Sequence, residues 1–260
     1  MDKKRSSTGS ATALILAFGS ATLALGARAL AAEPDVPTFK AHYQVEYKGH
    51  KVGREDLSVS YDAVRHHYRF ESRTEATGLL KLVRHKPSIQ RTEFILHDGA
   101  IRPLEFWLDD GTRKGEDDRH IVFDWDRSTA TVTDNKGTSM LPLQPNVLDP
   151  GTILIAIMLD LSHEKTPGPF RYTDGDSPNT YRYTDEGKAS VDIEAGQFDT
   201  AVIEQHHEGS SRHMRLWTAP KLDYLPVKIV QYKDDELLTA LTLESVEGFD
   251  GQAGLAAEKR

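Results

Sequence analysis

The sequence contains no cysteine among its 260 residues. Disulfide bridges, metal sites with thiolate ligands and a cysteine nucleophile are therefore all excluded. A chain without covalent cross-links has to be stabilised by a packed core, and a chain of this length can bury one.

Positive charge is in deficit. The chain has 32 lysines and arginines against 40 aspartates and glutamates, a formal net charge of −8. Binding to nucleic acid or to anionic lipid surfaces depends on basic side chains that neutralise phosphates. The composition therefore argues against a nucleic-acid partner and favours one that is neutral, cationic or apolar.

Catalytic and metal-binding motifs are missing as well, since the chain has neither a Gly-x-Ser-x-Gly elbow nor a His-Glu-x-x-His pair. The best metal-ligating pattern is Glu204, His206 and Glu208, which would share one face of a strand. The alternative is an ordinary solvated strand face. The acidic run at residues 115–118 lacks the ligand spacing of a calcium loop. We predict no catalytic residue, no metal site and no cofactor.

The N-terminus has the pattern of an export signal. A basic triplet at residues 3–5 precedes an apolar run at residues 11–25, and residues 29–31 match an A-x-A cleavage site. The run is interrupted by glycine, serine and threonine and is shorter than the roughly 20 residues of a membrane-spanning helix. We predict that residues 1–31 are a signal peptide cleaved near Ala31, that the protein is periplasmic, and that it has no transmembrane anchor.

Most of the remaining chain alternates apolar and polar residues, the period of a half-buried strand. The first such segment, residues 39–47, is the clearest. Turn signals such as Asp98-Gly99 separate the later segments, which are residues 57–61, 68–76, 89–96, 101–108, 121–125, 130–133, 181–183, 191–193, 198–207, 212–218, 227–232 and 237–246. The pattern predicts an all-β fold, an antiparallel β-barrel or half-barrel of roughly a dozen strands. Residues 32–250 are predicted to form one domain and residues 251–260 a disordered tail.

One segment breaks the alternation. Residues 153–159 are an unbroken apolar run, preceded by Asp149 and Pro150. Proline suits the first turn of a helix and aspartate suits its N-cap. We predict one short buried helix over residues 152–161. A buried strand is the alternative, because the run contains three isoleucines.

Six residues are predicted to bind a ligand. Tyr43, Tyr47, Trp125 and Trp217 fall on the apolar faces of their predicted strands, where they would line a cavity. The alternative, which general packing favours, is that they fill the core. Leu79 and Leu80 begin an apolar segment, residues 79–83, that interrupts the alternation. This segment predicts a flap at the rim of a barrel or, alternatively, a short turn of helix packed under the sheet.

Several segments together resemble a bacterial exported family of unknown function, domain-of-unknown-function family 3108 (DUF3108). They follow one another over nearly the whole mature chain: residues 43–53, 77–80, 101–104, 158–161, 196–200 and 217–227. The last segment is the most specific, and it departs from the family at Asp223, where a glycine is frequent. The resemblance implies a periplasmic all-β fold and transfers no catalytic residues. The same closing segment is similar, over a shorter stretch, to periplasmic lipoprotein-carrier half-barrels, which hold acyl chains under a helical lid.

These observations lead to a functional prediction with two alternatives. The export signal, the alternating strands and the carrier-like closing segment predict a non-catalytic binder of an apolar or envelope-derived ligand, such as a lipid or another hydrophobic small molecule. The first alternative is a protein-interaction or envelope-assembly module that binds an envelope protein through a strand edge or through residues 79–83. The second is a hydrolase of envelope glycans, which would need two carboxylates converging in a cleft.

Overall fold

Fifteen strands form one continuous sheet. A computed structural model of the protein describes residues 36–78, 81, 86–176 and 178–249. The predicted signal peptide, the predicted tail and the pair Leu79 and Leu80 lie outside these residues. The strands are β1 (Phe39–Tyr47), β2 (His50–Asp62), β3 (His67–Ala76), β4 (Ser88–His97), β5 (Ala100–Asp109), β6 (Arg119–Asp124), β7 (Thr129–Asp134), β8 (Gly137–Pro142), β9 (Val147–Leu148), β10 (Phe170–Tyr172), β11 (Asn179–Ile193), β12 (Gly196–His207), β13 (Arg212–Ala219), β14 (Leu225–Lys233) and β15 (Glu236–Glu247).

The order of strands across the sheet places the first strand, β1, and the last, β15, side by side in its middle. Consecutive strands pair antiparallel from β1 to β8 and from β10 to β15, and β1 pairs antiparallel with β15. The edges of the sheet are β8 and β9, and the sheet is not closed. The predicted all-β half-barrel with one helix is therefore confirmed, and the closed barrel is not formed.

The helix α1 (Pro150–Ser162) connects β9 to β10, which pair in parallel. A parallel pair requires a crossover, and α1 is that crossover. Its N-cap is Asp149, and Thr152 completes a capping box by accepting a hydrogen bond from the Asp149 N–H at 3.0 Å. The prediction of a capped, buried helix is confirmed, and the alternative of a buried strand is wrong because the cap and Pro150 start a helix.

The sheet curves around α1, since the helix packs against both of its halves. Ile155 and Met158 belong to an apolar cluster with Phe70 and Phe94 of β3 and β4. Ile157 belongs to another cluster with residues of β11, β12 and β13, which are Tyr183, Ile203 and Leu216. A helix with apolar residues on all sides is expected to be buried in this way.

The first turn of α1 approaches the sheet closely at Gly151. A Cβ atom added there would lie 2.5 Å from Thr92 Oγ1 and 2.7 Å from Phe70 Cδ1. Only glycine therefore fits at this position without displacing the neighbouring side chains. The contact sets the height of the helix above β3 and β4.

Three short strands were not predicted from the sequence: β8, β9 and β10. The edge strand β8 lacks apolar alternation because five of its six residues are exposed, among them Met140 with 65% of its surface accessible. The strands β9 and β10 have two and three residues, too few to show a period.

Candidate functional site

A cleft with a volume of about 320 Å³ lies between α1 and the concave face of the sheet. Both halves of the sheet contribute to it. Its apolar lining consists of Leu57, Phe70, Pro150, Ile153, Leu154, Ile157, Met214, Leu216, Ile229 and Leu241. Concave sites of this size with mostly apolar walls are typical of small-molecule binding.

Polar side chains line the cleft on both halves of the sheet. Glu55, Ser72 and Gln90 lie on the adjacent strands β2, β3 and β4, Gln205 lies on β12, and the lining of β13, β14 and β15 is apolar. Ser72 donates a hydrogen bond to Glu55 Oε1 at 2.8 Å. The cleft therefore has one carboxylate, on β2, and an apolar wall on β13 to β15.

The position of Glu55 follows from the strand register. It lies on the same face of β2 as the buried Leu57 and Val59, and its cross-strand partner on β1 is the fully buried Tyr43. Burial raises the pKa of Glu55 above its ordinary value, the hydrogen bond from Ser72 lowers it, and the charge of Asp56 raises it further. Among the described residues, no lysine, arginine or histidine forms an ion pair with Glu55.

The β10–β11 side of the cleft adds two tyrosines. Tyr172 and Tyr181 line the cleft and contact each other edge to face, with ring centroids 5.1 Å apart. Burial is the main cause that raises the pKa of both hydroxyls. These hydroxyls remain protonated at neutral pH, so they can donate as well as accept hydrogen bonds.

Another carboxyl group lies at the start of α1. Asp149 is fully buried, and its Oδ1 accepts hydrogen bonds from Gly151 N at 2.8 Å, from Thr152 N at 3.0 Å and from Thr92 Oγ1 at 2.9 Å. Burial raises its pKa to about 6, although these hydrogen bonds act in the opposite direction. Asp149 therefore fixes the helix against β4 through Oδ1, and its buried Oδ2 has no hydrogen-bond partner among the described residues.

The structure does not bring the predicted ligand-binding residues together. Tyr43 is fully buried and its hydroxyl donates to the Pro226 carbonyl at 2.7 Å. Tyr47 has 47% of its surface exposed, at the end of β1 after a register shift at Val45. None of the described members of the predicted set lines the cleft.

The two predicted tryptophans lie in separate environments. Trp125 packs against the cluster around Phe106 and donates its indole N–H to the Pro103 carbonyl at 2.7 Å. Trp217 packs against the large cluster that includes Phe70, and Lys228 Nζ lies 5.1 Å from its ring centroid. Both side chains thus have partners within the protein, as the core-filling alternative expects.

The cleft residues missed by the sequence analysis carried a weak signal. Glu55 occupies an apolar-face position in the alternating pattern of β2, two residues before Leu57. Ser72 and Gln90 occupy equivalent positions on β3 and β4, since Ser72 pairs with Leu57 and with Gln90. Polar residues at positions that alternation assigns to the core would have identified this group.

The best metal-ligating pattern of the sequence, on β12, consists largely of residues that form ion pairs. Glu204 Oε2 accepts from Arg215 Nε at 2.8 Å and also from Arg215 Nη2, and Glu204 Oε1 lies 3.1 Å from His206 Nε2. Glu208 is exposed. Because Arg215 already compensates the Glu204 charge, this group does not resemble a metal site.

Three other carboxylates converge in the loop between β5 and β6. Asp109, Asp110 and Asp118 offer oxygens within 4.8 Å of one another. Asp110 accepts from backbone amides at both oxygens, and Asp109 Oδ2 accepts from Lys86 Nζ at 2.6 Å. These hydrogen bonds account for the arrangement as an ordering element of the loop.

Comparison with known proteins gives one family match. The model of the family described as "Protein of unknown function (DUF3108)" matches residues 42–236. No curated protein matches the chain. Within the described residues, no helix combines the length and apolar character needed to cross a membrane.

Solved structures resemble the fold at low sequence identity. A β-barrel-like protein of family DUF1849 from Brucella abortus is 11% identical, with a TM-score of 0.52 over 83% of this chain and 99% of that chain. The MucA/MucB complex from Pseudomonas aeruginosa matches at 12% identity, with a TM-score of 0.34 over 81% of this chain and 51% of that chain. An exported protein with a YmcC-like fold from Bacteroides fragilis matches at 9% identity, with a TM-score of 0.34 over 83% and 96%. The Brucella protein shows a shared fold and nothing more.

Proposed function

The chain belongs to the DUF3108 family, a family of unknown function, and we propose that it is a periplasmic, non-catalytic binding protein that holds an apolar ligand in the cleft between α1 and the sheet. The observation that carries this proposal is the cleft itself, whose walls come from the helix and from both halves of the sheet. A ligand there would be enclosed on several sides, which is what burial of apolar ligand surface requires.

The open form of the sheet supports access to this cleft. Because β8 and β9 are unpaired edges, the concave face is not closed off by strand pairing. The side chains of Ile153 and Leu154 are only partly buried although they are apolar and line the cleft. Covering them with a ligand would remove apolar surface from water at roughly 25 cal/mol per Å².

The test is binding of an uncharged apolar dye, N-phenyl-1-naphthylamine, measured by fluorescence. Leu154→Asp places a charge in the cleft and is expected to weaken binding at least tenfold, because an unpaired carboxylate in an apolar site is unfavourable. The matched control is Leu237→Asp, since Leu237 is 39% exposed and does not line the cleft. Equal binding by wild type and both variants would contradict the proposal.

Native mass spectrometry identifies the natural ligand class. Full-length protein is expressed with its N-terminal segment and purified from the periplasm without detergent. We expect a discrete added mass that organic extraction removes and that is absent from Leu154→Asp. The same preparation checks the proposed cleavage near Ala31, because the mass of the polypeptide gives its N-terminus.

A second candidate function rests on the edge strand β8, which could bind a protein partner by strand addition. Its sequence Gly-Thr-Ser-Met-Leu-Pro carries no charge, and five of its six residues are exposed. Exposed edge strands are usually protected by charged residues. A photo-crosslinker at Met140 is expected to give a discrete product in the periplasm, and Thr138→Pro is expected to remove it. Absence of any product would contradict this candidate.

Hydrolysis of envelope glycans receives no support from the cleft. Such chemistry uses two carboxylates that flank the reacting bond. Within the described part of the chain, the lining of the cleft contains one, Glu55.

A further inference from the structure

We propose that Glu55 selects the ligand of the cleft by its head group, and that this ligand is an amphiphile with a protonated amine beside an apolar body. This inference rests on the proposed function and specifies it. It assigns two parts of the cleft lining to the two parts of one molecule: the amine to Glu55 on β2, and the apolar body to the wall formed by β13, β14 and β15.

The carboxylate of Glu55 has hydrogen-bonding capacity that the protein does not fill. An ionised carboxylate has about four acceptor sites on its two oxygens. Within the described part of the chain, one donor, Ser72, is hydrogen-bonded to Glu55, and it binds Oε1. The nearby hydroxyl of Tyr43 donates elsewhere, to the Pro226 carbonyl. Glu55 therefore retains acceptor sites for a ligand.

The charge of Glu55 is also uncompensated. The lining of the cleft contains one acidic side chain and, among the described residues, no lysine, arginine or histidine. The described ion pairs also include none with Glu55, although its exposed neighbour Asp56 lies 2.6 Å from His42 Nδ1. A partly buried carboxylate without a counter-ion in the protein is complementary to a cationic group on a ligand.

The lining of the cleft combines polar side chains with one apolar wall. Ser72 and Gln90 follow Glu55 across β3 and β4 and supply further polar atoms beside it, and Gln205 of β12 adds another. The wall formed by β13, β14 and β15, which includes Met214, Ile229 and Leu241, is apolar. A ligand that is apolar throughout would leave Glu55 unpaired, and a ligand that is polar throughout would leave this wall uncovered. An amphiphile with an amine pairs with Glu55 and also covers this wall.

The experiment compares three probes that share one chain and differ in head group: n-decylamine, 1-decanol and decanoate. Binding to the full-length protein is measured by calorimetry at pH 7 and low salt. We expect n-decylamine to bind about tenfold more tightly than 1-decanol, since hydrogen bonds to charged groups are the stronger ones. Decanoate is expected to bind most weakly, because its charge repels that of Glu55.

The test variant is Glu55→Gln, which keeps the size of the side chain and an oxygen for the Ser72 hydrogen bond. It is expected to bind 1-decanol like wild type and to lose the preference for n-decylamine. Ser72→Ala is the second variant, and it should keep the preference because the carboxylate remains. Glu75→Gln is the matched control, since Glu75 is exposed on β3 and paired with Arg73.

The outcomes separate the two proposals. If wild type binds none of the three probes, the proposed function fails and the inference fails with it. If wild type binds n-decylamine and 1-decanol equally, or if Glu55→Gln keeps the preference, the inference is overturned and the proposed function stands.

The source of the amine is resolved by a second pair of probes with identical acyl chains. Lysophosphatidylethanolamine carries a primary amine in its head group, and lysophosphatidylglycerol does not. Glu55-dependent binding of the first over the second supports an amine-bearing phospholipid as the source. A preference for n-decylamine without binding of either lysophospholipid supports the amine assignment and excludes phospholipid as its source.

Discussion

The carboxyl groups of Asp149 and Glu55 differ in what surrounds them. Burial raises the pKa of both Asp149 and Glu55. Asp149 accepts three hydrogen bonds from the start of α1 and from β4, and Glu55 accepts one, from Ser72. All three bonds to Asp149 end on Oδ1, and its buried Oδ2 has no hydrogen-bond partner among the described residues. The difference that matters is position: Asp149 caps the helix and does not line the cleft, whereas Glu55 lines it and is available to a ligand.

The largest expected difference between the two carboxyl groups is the pH dependence of the free energy of unfolding that Asp149 contributes. Its pKa is raised from 3.8 to about 6 in the folded state. The folded state therefore holds the proton more tightly than the unfolded state, so the free energy of unfolding falls as pH rises from about 4 to about 6. The loss amounts to about 3 kcal/mol, because each tenfold change in proton affinity corresponds to about 1.36 kcal/mol.

Asp149→Asn is expected to remove this loss, because the amide oxygen still caps the helix but does not titrate. The measurement is urea denaturation of both proteins between pH 4 and pH 8, where groups common to both cancel in the difference. Asp124→Asn is a control of opposite sign, since the backbone N–H of Arg127 is the main cause that lowers the pKa of Asp124. Parallel stability curves for wild type and Asp149→Asn would contradict the assignment.

The next effect tests whether the Asp149 region is rigid. Gly151→Ala is expected to lower the free energy of unfolding by about 2 kcal/mol, because the new Cβ would overlap with Thr92 and Phe70. Gly187→Ala is the comparison: no atom lies within 4 Å of the added Cβ, but its φ of +88° is unfavourable for alanine. That variant is expected to lose about 1 kcal/mol. A smaller loss at Gly151 than at Gly187 would show that the helix can move.

A substitution of Glu55 is expected to stabilise the protein, whereas Gly151→Ala is expected to destabilise it. Glu55→Gln removes a charge that has no counter-ion among the described residues, so the free energy of unfolding at pH 7 should rise by about 1 kcal/mol or less. The gain should shrink as the pH is lowered, because the raised pKa lets wild type become neutral there. Thermal unfolding at pH 7 and pH 4 measures both values. A destabilised Glu55→Gln would assign Glu55 a structural role like that of Asp149.

The smallest effect is expected away from both carboxyls and gives a reference for the others. Asp223 ends the 3₁₀ helix Pro220–Leu222 with a φ of 47°, in the left-handed region that favours glycine. Asp223→Gly is expected to raise the free energy of unfolding by about 0.5 kcal/mol, because relief of backbone strain exceeds the added entropy of the unfolded chain. Chemical denaturation measures it, and a loss would mean that the aspartate side chain stabilises this turn.

The sequence predicted the strands well where one face is buried along the whole segment. Along β1, every second residue from Phe39 to Val45 is buried, as alternation requires. It failed at Tyr47, which is the last residue of β1 and is 47% exposed beside the turn into β2. Alternation reports which face a residue lies on, and it does not report where the cover of that face ends.

The candidate site was predicted less well, because an aromatic residue on an apolar face looks the same whether it fills a core or lines a cavity. Trp125 and Tyr43 satisfy both descriptions in the sequence, and their hydrogen bonds to carbonyls show that they are tied into the protein. Glu55 differs from them because it is a charged residue at a position where the alternation of β2 predicts an apolar one. A rule that looks for the exception to the pattern would have found it.

The sequence by itself determined the longer strands, the buried helix with its Asp149 cap and the family, since these depend on local patterns of apolar residues, turns and caps. Only the tertiary structure decided that the sheet stays open, that α1 packs against both of its halves and that Glu55 lines one cleft with apolar side chains of β13 to β15. Glu55 and Met214 are separated by more than half of the chain, and the pairing of β1 with β15 joins their two halves of the sheet. Contacts between such distant segments arise from strand order, which no local pattern encodes.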